Sequence, residues 1–316
     1  MKKLFIPFFI ALIAQASISA ATFRVNNTTG SGAQYTTFNE ALSAASDGDV
    51  IVVDGSNTSY GKITVSKKVT VKGPGYFLDL EGTSAEGTLE AKFDEVTVTA
   101  EGATLTGLHV DGSIYLKNDK ITVTRCHVTA IYCSTHYSYS ESAISNCVIH
   151  QNFIFSGIQG DSYSKAATYF QITNNLFFCG TNACLSNLSY ATISRNTIVP
   201  RYGTACINLS NCVIENNISP TIKNGSTNTG CSFADNLFCD YSSSSPYSEL
   251  SLFYSNDREI KDIDITLTTT KGAFSGDDPY ILSGLPTGPV IKNIIMPESV
   301  AKGENLNITI KIGKAK

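Results

Sequence analysis

The chain has 316 residues, a formal net charge of −4 and only 16% charged residues. It contains no basic block, which argues against nucleic acid as a partner. Serine, threonine, asparagine and glycine are abundant, a composition typical of β-rich proteins with many turns rather than of helical proteins.

The first 21 residues have the features of a secretory signal peptide. Lys2 and Lys3 form a basic start, and Leu4 to Ile13 is almost wholly apolar. For cleavage after Ala21, Ser19 and Ala21 are small residues at the two positions that signal peptidase reads, and cleavage after Ala20 is the alternative. No apolar run in the chain is long enough for a bilayer span. We therefore predict an exported protein (extracellular, on the cell surface or in the periplasm) with no membrane span in its mature part.

A short amphipathic helix is predicted over residues 37–46. Thr37 followed by Glu40 matches a capping box. Gly48 supplies a stop signal after the apolar positions. Those apolar positions recur at helical spacing, at Phe38, Ala41, Leu42 and Ala45.

A repeated unit runs through the middle of the chain. Its units end at asparagines that lie 23, 21, 21 and 19 residues apart, at Asn152, Asn175, Asn196, Asn217 and Asn236. Cys126 and Leu108 hold the same place in weaker, earlier units. Apolar and polar positions alternate before each asparagine, which predicts a strand with one buried face. The residues three positions before the asparagines are Ile149, Ile172, Ile193, Ile214 and Phe233.

Strands that recur at this interval, with no helical pattern between them, predict a solenoid of stacked coils rather than βαβ units. The five asparagines are then expected to point inward and to form a ladder, each amide bonding to the asparagine of a neighbouring coil and to turn backbone. Because both ends of a solenoid expose strand edges, we expect the 37–46 helix to cap the N-terminal end.

The repeat decays after Asn236. Ser251 to Leu285 is predicted to form a last, irregular coil, and Gly284 to Pro289 to form a linker. Alternating apolar residues from Leu306 to Ile312 predict one strand in the tail. The predicted organisation is a signal peptide at 1–21, a solenoid at 22–285 and a tail at 286–316.

All nine cysteines lie between Cys126 and Cys239, and an odd number leaves at least one thiol unpaired within the chain. Cys212 and Cys231 fall in the same inward column of successive coils, where a disulfide is geometrically permitted. Buried cysteine also serves as a small apolar filler, and we favour mostly free, buried thiols. No base stands beside any cysteine, so no nucleophile is predicted.

Tyr35 to Phe38, Ala41–Leu42, Asp47 to Val53 and Lys68 to Gly73 resemble, together with the asparagine units, the pectin-lyase-like β-helix proteins. The stretch Asp278 to Pro286 is similar to the end of exported β-helix proteins of Gram-negative bacteria that have no known activity. The resemblance implies an all-β, right-handed parallel β-helix with an N-terminal amphipathic helix cap and a short C-terminal β tail. It implies little about activity, because this fold hosts lyases, hydrolases, esterases and adhesins.

The outward positions of the repeated strand carry little that could catalyse a reaction. Glycoside hydrolysis needs two carboxylates about 5–10 Å apart, and Glu215 is the one carboxylate among these positions. We predict no catalytic residue, no cofactor and no metal ligand. His109 and His127 fall at matching places of adjacent coils and are interpreted as exposed turn residues rather than metal ligands.

Tyrosines and serines crowd the stretch from Tyr132 to Tyr139. Exposed aromatic rings beside hydroxyl groups are typical of sugar-binding surfaces. We therefore predict that Tyr132, Tyr137 and Tyr139 bind a polysaccharide or cell-surface glycan, the alternative being an ordinary packed loop. The leading hypothesis is an exported, non-catalytic scaffold that contacts polysaccharide or another cell. The alternative is a polysaccharide lyase or glycoside hydrolase with its site on a loop-bearing face, which acids or Arg/Lys clustered on two adjacent coils would favour.

Overall fold

The structure is a computed structural model, and it describes residues 20–78, 89–133, 144–160, 167–179, 183–200, 205–219, 227–238, 270–285, 289–295 and 305–314. Most of the described residues lie in or between strands of two large parallel sheets, with a single α-helix among them. The described chain is therefore an all-β, solenoid-like stack. Residues 1–19, which hold most of the predicted signal peptide, lie outside the described residues.

The first sheet has ten strands, and every neighbouring pair runs parallel. Most of these strands are only three or four residues long, because the chain turns out of the sheet at both ends of each one. The strands are, in sheet order, β1 (Thr22–Val25), β2 (Val50–Val53), β4 (Thr70–Lys72), β7 (Thr104–Thr106), β9 (Thr122–Thr124), β11 (Val148–His150), β14 (Gln171–Thr173), β17 (Thr192–Ser194), β20 (Val213–Glu215) and β22 (Ser232–Ala234).

The second sheet has thirteen strands and is also parallel throughout. Its members are β3 (Lys62–Val65), β5 (Lys92–Phe93), β6 (Glu95–Val98), β8 (His109–Leu116), β10 (His127–Cys133), β12 (Phe153–Gly160), β13 (Ala167–Thr168), β15 (Leu176–Cys179), β16 (Leu185–Ser189), β18 (Thr197–Pro200), β19 (Cys206–Ser210), β21 (Ile218–Ser219) and β23 (Leu237–Phe238).

The apolar column of the repeat lies on the buried face of the first sheet, as the sequence predicts. Ile149, Ile172, Ile193 and Ile214 are in register on β11, β14, β17 and β20, and each is fully buried. Burying a side chain of this size stabilises the fold by about 1.5–3 kcal/mol before the entropy of ordering is subtracted. The alignment of the repeat units is therefore confirmed.

The asparagine ladder is also confirmed. The Nδ2 atoms donate to the Oδ1 atom of the next asparagine along the stack, at 2.9 Å from Asn152 to Asn175 and at 3.0 Å from Asn175 to Asn196. The same bond measures 3.1 Å from Asn196 to Asn217 and 3.0 Å from Asn217 to Asn236. Each Nδ2 also donates to a backbone carbonyl of a neighbouring coil. Buried amides with this many partners hold the turn between the two sheets in one geometry.

Left-handed backbone residues bracket the short strands of the first sheet. The residue before each ladder asparagine has a positive φ, namely Gln151, Asn174, Arg195, Asn216 and Asp235, with φ between 53° and 57°. The residue six positions before each ladder asparagine has a positive φ as well, namely Asn146, Tyr169, Tyr190, Asn211 and Gly230. These residues turn the chain into and out of each strand, and asparagine and glycine tolerate that conformation best.

The predicted helix is present over Phe38–Ala44. Thr37 accepts a hydrogen bond from the Glu40 N–H, and the Glu40 carboxylate accepts one from the Thr37 N–H, which completes the predicted capping box. Phe38, Ala41 and Leu42 are buried, and the helix contacts β1, β2 and β3. No helix in the part of the chain that the structure describes has the length and hydropathy of a membrane span.

The expected last coil, Ser251 to Leu285, lies outside the described residues as far as residue 269. Its described part, residues 270–285, here called the strap, contains no strand of either sheet. The strap runs lengthwise across the turns between the sheets, bonded in nearly reverse order to Asn216, Thr197, Asn174 and Gln151. The turn residues are therefore contacts for a distant segment, which the repeat alone could not predict. The strap covers a second apolar cluster, whose buried members are Tyr76, Phe153, Leu176, Phe178, Ala273, Phe274 and Tyr280.

The tail contains two strands where the sequence predicts one. β24 (Pro289–Ile295) pairs antiparallel with β25 (Thr309–Lys314), with Ile291 opposite Ile312. Residues of β24 form a short, mostly apolar run without clear alternation, so the sequence pattern does not predict this strand. Leu306, Ile308 and Ile310 are each about half exposed.

Candidate functional site

The predicted binding residue Tyr132 lies on β10 and points outward, between the buried Ile131 and Cys133. It is in register with Tyr115 on β8, and the two rings stack with centroids 5.3 Å apart and planes inclined by 17°. The ammonium of Lys117 lies 5.6 Å from the centroid of Tyr115. Both tyrosines are half-buried. The other two predicted binding residues, Tyr137 and Tyr139, lie outside the described residues.

A second tyrosine pair is more exposed. Tyr169 and Tyr190 lie on successive coils with ring centroids 5.4 Å apart and planes inclined by 19°. Their side chains are 56% and 52% exposed, the largest values among the aromatic residues that the structure describes. This pair is not among the predicted binding residues, although the aligned repeat places both tyrosines in one column, six positions before the ladder.

The backbone of this pair is unusual for tyrosine. Tyr169 has φ 57° and Tyr190 has φ 54°, and the equivalent positions of neighbouring coils are Asn146, Asn211 and Gly230. A bulky residue in the left-handed region is uncommon and is disfavoured by of order 1–3 kcal/mol. Two tyrosines are therefore held where glycine or asparagine would be more stable, and their rings face solvent. Two exposed rings on left-handed backbone at adjacent positions make this pair a candidate functional site.

The described positions that adjoin the two tyrosines in the repeat carry polar, uncharged side chains. Thr168 and Ser189 precede them on paired strands, and Asn208 Nδ2 donates to Asn187 Oδ1 at 3.0 Å. The outward faces of the adjoining short strands carry Gln171 and Thr192. Hydroxyl and amide groups both donate and accept hydrogen bonds, as sugar hydroxyls do.

The lone carboxylate of the repeated strand remains alone in its column. Glu215 on β20 is flanked in register by Ser194 and Ala234. The neighbouring coils therefore bring no titratable side chain beside it at the paired positions. A second group for general acid–base catalysis is not supplied there.

The two histidines are not exposed turn residues, and that interpretation was wrong. His109 and His127 are paired residues of β8 and β10, and their ring centroids are 4.1 Å apart. His127 is buried because the rings of Tyr76, Phe77 and Phe153 pack around it. The residues expected to form a turn are instead the first residues of β8 and β10.

His109 lies between two carboxylates that sequence analysis did not connect with it. Its Nδ1 atom bonds to the Glu90 carboxylate, and its Nε2 atom is 3.1 Å from Asp111 Oδ1. Glu90 lies just before β5, which pairs with β8, so the cluster joins acids of two adjacent coils. Burial of Glu90 opposes its ionisation, but hydrogen bonds with His109 and the Phe77 N–H and the charges of His109 and Lys92 together outweigh burial. The pKa of Glu90 therefore lies below its usual value.

A carboxylate that orients an imidazole is the arrangement used in general acid–base catalysis. Because Glu90 and Asp111 bond to opposite nitrogens of His109, they do not converge on one point. No group of three or more potential ligands is arranged to hold a metal ion in the described part of the chain.

The cysteines fall into two classes. Cys179 and Cys184 form a disulfide that the sequence did not predict. The other six described cysteines are buried and form no disulfide, in agreement with the prediction that most thiols are buried and not disulfide-bonded. Burial raises the pKa of Cys126 and Cys147 to about 12 and that of Cys212 to about 11. These thiols are therefore protonated near neutral pH and are not nucleophiles.

Comparison with protein-family models, with curated proteins and with solved structures gives no match.

Proposed function

We propose that this chain is an exported, right-handed parallel β-helix of the pectin-lyase-like kind that binds polysaccharide without cleaving it. The helix Phe38–Ala44 is proposed to cap the N-terminal end of the solenoid, because it packs on β1, β2 and β3. Export rests on the basic start and apolar run of the first 21 residues. The solenoid then serves as a rigid platform for its exposed rings.

The observation that carries the binding proposal is the pair Tyr169 and Tyr190. Both rings are more than half exposed, stacked on each other and held on left-handed backbone. Tyrosine combines a large apolar face with a hydroxyl group, which suits it to contact with sugar rings. The half-buried pair Tyr115 and Tyr132 is a weaker candidate because less of each ring is open to a ligand.

The double variant Y169N/Y190N separates binding from stability. Asparagine occupies the same column at Asn146 and Asn211 with the same backbone, so the free energy of unfolding should stay unchanged or rise by up to about 1 kcal/mol. Affinity for the glycans that the natural chain binds on an array of immobilised neutral and acidic oligosaccharides should fall about tenfold or more. Denaturant titration and calorimetric titration with the array hits measure the two effects.

The comparator for this experiment is Tyr132→Ala. It should leave affinity nearly intact. Affinity lost in Tyr132→Ala but kept in Y169N/Y190N would move the binding site to β8 and β10. A natural chain that binds no oligosaccharide on the array would refute the proposed function.

A second candidate function is polysaccharide cleavage, and the cluster of Glu90, His109 and Asp111 favours it. The cluster brings a largely covered carboxylate, an imidazole and an exposed carboxylate together on two adjacent coils. Half-buried Phe77 and Phe155 lie close by, around His127. This arrangement could move a proton, although both nitrogens of His109 are already bonded.

We expect no release of reducing or unsaturated ends when the protein is incubated with neutral polysaccharides or polyuronates. Release that is abolished by Glu90→Gln and by His109→Asn, but not by Glu215→Gln, would establish the second candidate instead. Glu215→Gln is the matched control because it makes the same chemical change at a carboxylate whose paired neighbours cannot titrate.

A further inference from the structure

The side chains beside Tyr169 and Tyr190 indicate which class of glycan the pair would bind. This inference rests on the proposed function. In-register positions on three successive coils flank the rings, and each described side chain there is uncharged. They are Thr168, Ser189 and Ser210 before the tyrosine column, and Gln171, Thr192 and Val213 after it. A uronate carboxylate is recognised by cationic or converging donor groups, which these positions do not supply.

The nearest described charges along the tyrosine column neutralise each other. Lys120 holds the equivalent position two coils before Tyr169, and its Nζ atom is 2.6 Å from Glu101 Oε1. On the other side the column continues with Asn211 and Gly230. The whole chain carries a net charge of −4, and removal of Lys2 and Lys3 with a signal peptide would make it more negative. A polyanionic glycan is therefore repelled by the protein's overall field.

The two rings also define the direction in which a bound chain would lie. They stack on successive coils, so their open surface is a strip that runs along the solenoid axis. An amide row follows the same direction, because Asn208 donates to Asn187 and Asn187 donates to the carbonyl of Gly160 on the coil before. Coils repeat at about 4.8 Å, so a chain laid along the axis contacts several successive coils.

We propose that the strip formed by Tyr169 and Tyr190 binds an uncharged polysaccharide that lies along the solenoid axis across several coils. Stacked rings offer apolar contact, and the surrounding hydroxyl and amide groups can donate to and accept from sugar hydroxyls. Because contact is repeated from coil to coil, a long chain binds better than a disaccharide.

The test uses the full-length mature protein and two sets of probes. The first set is hexasaccharides and disaccharides of glucose, mannose and xylose, and the second is hexasaccharides of galacturonate and mannuronate. We expect at least one neutral hexasaccharide to bind about tenfold or more tightly than its own disaccharide, and the uronate hexasaccharides to bind more weakly than it. The neutral interaction should be insensitive to salt, since no ion pair is involved.

Two results overturn this inference while leaving the proposed function intact. One is tighter binding of a uronate hexasaccharide, especially if it is lost at high salt or in the variant K165A/R201A, whose cations flank the column in sequence but lie outside the described residues. The other is equal affinity for disaccharide and hexasaccharide. Failure of every probe to bind would instead refute the proposed function itself, and Y169N/Y190N distinguishes binding at this strip from binding elsewhere.

Discussion

Replacing Asn196 with leucine should lower the free energy of unfolding by roughly 2–5 kcal/mol, because several buried polar groups lose their partners at once. The Oδ1 atom of Asn196 accepts from the backbone N–H and from the Nδ2 atom of Asn175, at 2.9 and 3.0 Å. Its Nδ2 atom donates to the Ile172 carbonyl at 2.8 Å and to Asn217 Oδ1 at 3.1 Å. Leucine fills a similar volume but satisfies none of these groups.

The matched control is Asn57→Leu. Asn57 is exposed, so water can replace whatever its amide loses, and the cost should stay within about 0.5 kcal/mol. Urea midpoints of the two variants, at unchanged slope, measure the difference. Equal midpoints would show that the ladder contributes nothing beyond an exposed amide.

Replacing Gln151 with leucine should detach the strap and lower the free energy of unfolding by about 2–4 kcal/mol. Gln151 is fully buried, its Oε1 atom accepts from Arg125 Nε, and its Nε2 atom donates to the Pro279 carbonyl at 2.6 Å. The guanidinium of Arg125 is almost fully covered, so the loss of its acceptor leaves a covered charge with fewer partners. Hydrogen exchange should accelerate in residues 270–285 before it accelerates in the coils.

Gln171→Leu makes the same chemical change on the exposed face of the neighbouring coil. It should leave both the unfolding midpoint and exchange in the strap unchanged. Loss of stability in Gln151→Leu without faster exchange in the strap would show that Gln151 acts locally, within its own turn.

The strap should also make the free energy of unfolding depend on pH in the acidic range. Partial burial opposes ionisation of Asp278, but hydrogen bonds from His150 and Gln151 and the charges of His150 and Arg125 outweigh it, so the pKa of Asp278 lies below its usual value. A carboxylate with a lowered native pKa stabilises the fold above its unfolded pKa of about 3.9, and this contribution is lost as pH falls through the native value. Unfolding measured between pH 5 and pH 2 should therefore show a smaller acid-dependent loss in Asp278→Asn than in the natural chain.

The coils could be predicted because each one repeats the same local pattern. Alternation before the asparagine column identified the buried isoleucines and the ladder, and the capping box identified the helix. The strap could not be predicted, because it is not repeated and many of its bonds end on backbone carbonyls such as those of Ala273 and Pro279. Every residue carries a backbone carbonyl, so the sequence does not indicate which carbonyls accept these hydrogen bonds.

One candidate site could be predicted from the aligned repeat and the other could not. Tyr169 and Tyr190 share a column with asparagine and glycine, so the aligned repeat contained their signal before the structure showed their exposure. Glu90 lies outside the aligned columns, and its contact with His109 depends on how the preceding coil ends. The aligned repeat therefore predicts which residues share a face. Contacts between coils that involve residues outside the repeat, such as Glu90 with His109, depend on the three-dimensional structure.

The strap has a consequence for how the protein can evolve. Ordinary solenoids gain or lose repeats readily, because each coil interacts only with its neighbours. Here Gly272 bonds to Asn216, Ser275 to Asn174 and Leu285 to Arg125, so one segment is matched to several coils at once. Gly284 must remain glycine, because a Cβ atom there would lie 2.1 Å from the ring of Tyr76. Duplication of a coil between these residues would shift the contacts on one side of the insertion by one coil, and the strap thereby fixes the number of coils that it spans.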